Sequence, residues 1–307
     1  MMKVVVFGGC GFLGRGIVSA LLESDSSLDI TIVDRSAPLM EDPASRVHYI
    51  RENFSEKSNF TECVADADLV VHLISTSIPG NERGIRQEII NNVLPSVRLF
   101  ESCVVAGVHK ILFLSSGGTV YGNVDKPSRE ADPLNPMNTY GLQKMMIEHS
   151  LRMICQGSGV SYQIIRMSNP YGPGQNPQGQ LGLITKLVYQ ILHGQTMRIF
   201  GDGSVVRDFL YISDAIRGVM DILNKGEANA IYNLGSGEGA SVGHVLDLIR
   251  TVIPEEATVR YEQSRSVDVP YSVLDIGRYL MIRPHPSFIP LEEGIRHTYD
   301  YLRKDER

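Results

Sequence analysis

Residues Phe7 to Gly14 read FGGCGFLG, placing glycines at 8, 11 and 14 between an apolar run, KVVVF, and a helical pattern beginning near Arg15. That spacing at a strand-to-helix junction restricts the fold more than any other feature of the chain. Gly8 allows a tight turn, Gly11 lets the backbone approach a pyrophosphate, and Gly14 permits close packing of helix on strand. The helix N-terminus adds free N–H groups and the positive end of a dipole. Among 29 glycines the spacing alone would carry little. Its context carries more, because a second apolar run, ITIVD, ends in Asp34, where a carboxylate reaches an adenosine ribose. A carboxylate there repels a 2′-phosphate, which favours NAD over NADP, although Arg35 follows directly.

The remainder of the N-terminal half repeats this alternation. LVVHLI (69–74), ILFLS (111–115) and YQIIRM (162–167) are further β-rich runs, separated by helical segments near 86–105 and 139–155. Near-continuous apolar strands between helices predict an α/β fold, a Rossmann-type doubly wound parallel sheet covered on both faces. The pattern loosens after Asn169 into NPYGPGQNPQGQ and shorter units. The expected division is a dinucleotide-binding domain over 1–170, with segments within 205–240 returning to it, and a smaller C-terminal substrate-binding lobe over 171–307.

With 307 residues, 43% apolar and 21% charged, the chain is long enough for two coupled lobes of ordinary globular composition. A net charge of -6 and a pI near 5.8 argue against a nucleic-acid surface. Cys10, Cys63, Cys103 and Cys155 show no metal or redox spacing, so they are read as reduced thiols of a cytoplasmic protein without a metal. MMKVVVF reads as a first strand and not as a leader, and no apolar stretch is expected to span a membrane.

Two further stretches carry chemistry. NTYGLQKMMIEH begins a helix, so Tyr140 and Lys144 share a face, and the ammonium can lower the phenol's pKa and hold a ribose. LSSGGTVYG (114–122) ends a buried strand in Ser116, Gly117, Gly118 and Thr119, which is not ordinary turn chemistry. Either stretch alone would be unremarkable. A glycine turn, a hydroxyl-rich strand end and a Tyr-x-x-x-Lys helix, in that order, resemble the extended short-chain dehydrogenase/reductases. Within them the order resembles the NAD-dependent nucleotide-sugar epimerase/dehydratase family, over essentially the whole chain.

That resemblance implies the site residues that follow. Gly8, Gly11, Phe12, Leu13, Gly14, Asp34, Arg35, Asn53, Leu73, Asn92, Tyr140 and Lys144 would bind the NAD cofactor. Asn169, Arg207, Arg265 and Ser272 would bind a nucleotide-diphosphate sugar, UDP favoured, with the two arginine forks on the phosphates. Asn53 stands where the family usually has aspartate, and Pro95 where it often has glycine. A homodimer through the helices near 86–105 and 139–155 is also implied.

The family's shared step has the tyrosine take a sugar hydroxyl proton while NAD takes the hydride from the same carbon. Dehydratases add an Asp-Glu pair at the positions of Gly118 and Thr119, so the missing carboxylates disfavour elimination. The family's proton-shuttling hydroxyl aligns with Gly117, which leaves Thr119, preferred for its flanking glycines, or Ser116 to replace it. A nucleotide-sugar 4-epimerase is the leading expectation. A 4-keto sugar reductase and a non-catalytic dinucleotide sensor are the alternatives. Ser272, counted from Arg265, falls where a bulky tyrosine excludes N-acetyl sugars in some relatives, and Tyr271 stands beside it. A small residue there predicts tolerance of a 2-acetamido group.

Overall fold

The computed structural model describes residues 2–36, 46–80, 84–179, 181–256, 258–263 and 269–305. It divides into two compact units. One comprises Met1–Ser116, Asn138–Arg166 and Ile216–Tyr232, and the other Gly117–Met137, Met167–Ala215 and Asn233–Arg307.

The first unit is built on strands β1 (Lys3–Phe7), β2 (Asp29–Asp34), β3 (Val47–Arg51), β4 (Leu69–His72), β5 (Lys110–Ser116) and β6 (Ser161–Met167). With Ala230–Leu234 they form a seven-stranded sheet, in the order Ala230–Leu234, β6, β5, β4, β1, β2, β3. β1 pairs in parallel with β2 and β4, β2 with β3, and β4 with β5. The order reverses at β1, so a crevice opens at the carboxyl ends of β1 and β4, where doubly wound sheets bind ligands. Val4, Val5, Val6 and Phe7 are all buried, as expected of a strand covered on both faces.

β4 ends in a buried histidine. His72 is 0% exposed, its ring lies against Phe54, Phe100 and Phe113, and Nε2 meets Ser96 Oγ at 2.9 Å. Burial, helped by the Lys144 charge, holds its pKa well below the usual 6.5. The native ring therefore stays neutral while the unfolded ring takes a proton below about pH 6.5. Stability from this group is full above that pH and falls progressively below it. Urea titrations of wild type and His72→Phe between pH 5 and 7 should show this slope in the wild type alone. Equal slopes would remove His72 as its source.

The helical run Ile85–Ala106 passes through a π-helical turn, Ile89–Val93, in which the Leu94 N–H reaches the Ile89 carbonyl. Pro95 explains the widening. It has no N–H for the carbonyl four residues back, and its ring crowds that carbonyl. Ser96 Oγ caps the Asn92 carbonyl at 2.6 Å. Contrary to the sequence expectation, this run has the length and composition to cross a membrane. Here it packs on helices Phe60–Cys63 and Thr139–Cys155, with Leu99, Phe100 and Cys103 in the core.

In the second unit, Val206–Tyr211 pairs in parallel with Asn169–Tyr171 and Tyr271–Ser272 and antiparallel with Gly239–Ser241. Helices Leu183–Leu192 and Val242–Val252 pack on helix Leu291–Asp305. Residues 117–137, assigned from sequence to the dinucleotide domain, group with this unit instead. Backbone hydrogen bonds explain it: Ser128 N–H to the Val273 carbonyl at 3.0 Å and Asp275 N–H to the Ser128 carbonyl at 2.8 Å. Local sequence contains no sign of that long-range pairing.

The four cysteines are free and buried, and burial raises their thiol pKa values, so they remain protonated.

Candidate active site

The glycine turn is built as its spacing predicts. Gly8 has φ +87°, and its N–H donates to the Val33 carbonyl at 3.0 Å. A Cβ on Gly14 would lie 2.2 Å from the Gly8 carbonyl oxygen, so the helix is seated against the turn as closely as backbone allows. Helix α1 (Phe12–Ser24) starts at Gly11, which offers no side-chain cap and is exposed, so the first N–H groups are not masked by a side chain. A Cβ at Gly11 would face only the Gly8 oxygen, at 3.2 Å.

Asp34 closes the cradle. Its carboxylate accepts from the Cys10 N–H at 3.1 Å and the Ser36 N–H at 2.9 Å. Leu73 N–H donates to the Phe7 carbonyl at 3.0 Å, which sets Leu73 beside the turn, while Arg35 and Asn53 are exposed. Phe12 and Leu13 are half-buried in the first turn of α1. A backbone cradle at an uncapped helix start, with a carboxylate at the end of β2, fits NAD.

The Tyr-x-x-x-Lys pair lies on helix Thr139–Cys155, capped by Asn138 Oδ1 accepting from the Gly141 N–H at 2.8 Å. Lys144 is buried, donates to the Leu114 carbonyl at 2.9 Å, and lies 5.9 Å from the Tyr140 ring centroid. Burial lowers its pKa to about 8, against the raising effect of Glu148. Burial pushes Tyr140 up to about 12, a hydrogen bond from Ser116 pulls it down, and the Glu88 charge raises it. The sequence predicted a phenol lowered by its lysine. In the structure desolvation dominates and raises it instead. Of the two candidate hydroxyls, Ser116 is the one that acts to lower the Tyr140 phenol.

The helix is held from behind by a buried ion pair that sequence reasoning missed. Glu148 accepts from Arg166 Nη2 at 2.7 Å and Nε at 3.1 Å, and from Ser115 Oγ. The pair ties β5, β6 and the tyrosine helix together one residue from Ser116. Its only sequence trace was charge within apolar context, one residue on a helix and the other on a strand.

Asn92, in the π turn, accepts from the Thr76 N–H at 2.7 Å and Oγ1 at 3.0 Å, and donates to Glu88 Oε2 at 2.9 Å. It braces the chain leaving β4.

In the second unit, the residues assigned to substrate gather on one strand and its neighbours. Ser272 is the register partner of Arg207, and Asn169 Nδ2 donates to the Asp208 carbonyl at 2.9 Å. Arg207 donates to the Val206 and Val269 carbonyls at 2.9 and 2.6 Å. A Cβ on Gly118 would meet Ser272 Oγ at 3.8 Å and Asn169 Oδ1 at 3.9 Å, so Gly118 adjoins both. Thr119 Oγ1 is buried without a hydrogen-bond partner among the described residues. Arg265 lies outside the described residues. Asp208, also missed, is a buried carboxylate accepting from Ser236 N–H and Oγ at 2.8 Å and from the Leu274 N–H at 3.3 Å. It fixes the strand that carries Arg207.

A dinucleotide cradle at the switch point of a parallel sheet, with a Tyr/Lys pair on a following helix, defines a short-chain oxidoreductase-type protein. The family model for the NAD dependent epimerase/dehydratase family matches residues 4–235. A putative UDP-glucose 4-epimerase of Methanocaldococcus jannaschii is 30% identical, with 99% of each chain covered. A dTDP-4-dehydro-6-deoxyglucose reductase of Escherichia coli is 29% identical, over 98% of this chain and 97% of its own. The solved UDP-glucose 4-epimerase of Thermotoga maritima, with UDP-glucose, superposes with a TM-score of 0.90 at 28% identity and complete coverage of both chains. The chain belongs to the NAD-dependent epimerase/dehydratase family and is an NAD-dependent nucleotide-sugar enzyme of the epimerase type.

Proposed function

We propose that the chain interconverts nucleotide sugars at C4, with a UDP-hexose or UDP-N-acetylhexosamine as substrate. The observation that carries this reading is a Tyr140–Lys144 pair with Gly118 and Thr119 where an elimination would need carboxylates. Bound NAD supplies the hydride acceptor and donor. Gly8, Gly11, Phe12, Leu13, Gly14 and Asp34 hold it, with Arg35, Asn53 and Leu73 at its border. Tyr140 takes the proton of the C4 hydroxyl and returns it, and Ser116 relays it. Thr119 remains the second candidate for that relay. Lys144, fixed by the Leu114 carbonyl, presents its charge to the phenolate and the ribose. Arg207 and Arg265 bind the diphosphate and Asn169 the sugar nucleotide, while Ser272 leaves room for an acetamido group.

The relative that is a reductase favours a second reading, a 4-keto nucleotide-sugar reductase that consumes reduced cofactor. Incubating the purified protein with UDP-, GDP- and dTDP-sugars, without added cofactor and with NMR detection at C4, separates the two. Epimer formation with UDP-hexoses or UDP-N-acetylhexosamines is expected. No epimer, with stoichiometric NAD(P)H consumption on 4-keto sugars, would replace this reading by the reductase. The same preparation should scatter light as twice the 34.0 kDa chain. Support for such a cytoplasmic homodimer lies in Val105 and Met153, 79% and 75% exposed on the two helices the family resemblance assigns to pairing. A monomer would refute it.

A further inference from the structure

We propose that Asp208 is a positioning residue for the nucleotide sugar. Its buried carboxylate locks the strand that carries Ser272 in register with the strand that carries Arg207, and so sets how tightly a nucleoside diphosphate is held. The proposal rests on the reading of Arg207 as a diphosphate ligand given above.

The ladder that needs locking is short. Tyr271–Ser272 is a two-residue strand whose register partners are Val206 and Arg207. Successive side chains on a strand alternate faces, so a one-residue slip would put Tyr271 opposite Arg207 in place of Ser272. Asp208, the residue after Arg207, is 0% exposed. Its Oδ2 accepts from the Leu274 N–H at 3.3 Å, two residues beyond Ser272, and from the Gly237 N–H at 3.3 Å. Its Oδ1 accepts from Ser236 N–H and Oγ, both at 2.8 Å. The carboxylate therefore extends the ladder past its last pair and ties it to the turn at 235–237. That turn is shaped to receive it. Gly237 has φ +77°, and a Cβ on Gly235 would lie 2.3 Å from Asp208 Oδ2, so the backbone closes on the carboxylate as nearly as glycine allows. The main-chain carbonyl of Asp208 accepts from Asn169 Nδ2 at 2.9 Å, which holds a third substrate residue to the same strand.

The donor pattern calls for a carboxylate. Three backbone N–H groups and one hydroxyl converge on its two oxygens, and each oxygen faces at least one backbone N–H. An amide has a single acceptor oxygen, so its NH2 would oppose an N–H whichever way it turned. A buried carboxylate is costly unless its hydrogen bonds are complete, and here each oxygen has two donors. The residues held in this way, Arg207, Ser272 and Asn169, are those assigned to substrate. Gly118 adjoins two of them, since a Cβ there would meet Ser272 Oγ at 3.8 Å and Asn169 Oδ1 at 3.9 Å. A shift of the Ser272 strand would therefore disturb the groups that meet the nucleotide sugar as a set. Tyr140 and Lys144 are held by other bonds, at Asn138 and at the Leu114 carbonyl.

The test titrates UDP into NAD-loaded wild type, Asp208→Asn and Arg207→Ala by calorimetry, at a temperature well below the Tm of each. Asp208→Asn is expected to weaken UDP binding by about 10–100-fold, and Arg207→Ala to weaken it as well. For any UDP-sugar turned over, KM in Asp208→Asn should rise with the dissociation constant while kcat and bound NAD stay at their wild-type values. A lower Tm with unchanged UDP affinity in Asp208→Asn, beside a weakened Arg207→Ala, overturns the proposal and leaves the diphosphate reading standing. A fall in kcat with KM unchanged also overturns it. A wild type that does not bind UDP, or an Arg207→Ala that binds it as tightly as wild type, overturns the diphosphate reading and the proposal with it. If Asp208→Asn does not fold, Ser236→Ala decides. It removes only the hydroxyl donor to Oδ1 and is expected to weaken UDP by about 2–10-fold, and an unchanged dissociation constant overturns the proposal.

Discussion

Replacing Tyr140 by phenylalanine is expected to cut kcat for C4 epimerisation by about 10²–10⁴-fold, the usual worth of a positioned acid–base group. The loss should fall on kcat and not on folding. The ring contacts stay, and Lys144 keeps its hydrogen bond to the Leu114 carbonyl. The electrostatic influence of Ser116 and Glu88 on the phenol is lost with the hydroxyl. Progress curves followed at C4, with thermal melts on the same samples, check both halves. Unchanged turnover would show that the chemistry lies elsewhere in the molecule.

The second large effect is on stability. Glu148→Ala leaves the Arg166 guanidinium, 3% exposed, without its carboxylate in the interior. Breaking a buried pair from one side costs about 3–5 kcal/mol. For a chain of this size that corresponds to a fall in Tm of roughly 6–20 °C. Glu148→Leu combined with Arg166→Met should recover much of it, because no charge is then left buried. Calorimetry on the single and double variants decides the matter. A single variant that melts with the wild type would show that the pair contributes nothing net. Loss of Glu148 also removes the charge that holds Lys144 up against burial, so the lysine should titrate lower in the variant.

The parts of the site legible in the sequence are those in which local backbone chemistry and function coincide. Gly8 and Gly14 are needed where they stand because the turn takes φ above zero at Gly8 and the helix tolerates no Cβ at Gly14. Asp34 could be placed because a carboxylate ending an apolar strand has few structural uses. Tyr140 and Lys144 share a face by helical period alone. Their environment could not be read in this way. The predicted lowering of the phenol assumed charge without desolvation, and burial reverses the sign. The choice between Ser116 and Thr119 was likewise open, since two hydroxyls three residues apart differ only in where the chain turns after β5.

Glu88, Asp208 and Arg166 were invisible for a related reason. Each is a polar residue on an otherwise apolar or helical stretch, and sequence assigns such residues to solvent unless a partner is known. Their partners lie 11 to 66 residues away, on other elements. Glu88 did stand one helical turn before Asn92, but a carboxylate and an amide at that spacing also describe an ordinary exposed helix face. The move of 117–137 into the second unit depended on pairing with 273–275.

By itself the sequence determined the class of fold, the dinucleotide cradle and the identity of the Tyr/Lys pair. Those follow from glycine stereochemistry and from the 3.6-residue and two-residue periods of apolar residues, which act within one element. Only the tertiary structure decided which polar groups lose their water. Desolvation shifts the titration of Tyr140, Lys144 and His72, and packing turns Glu88 from an expected helix-surface residue into a buried one. It depends on what packs around a residue, which its neighbours in the chain do not specify.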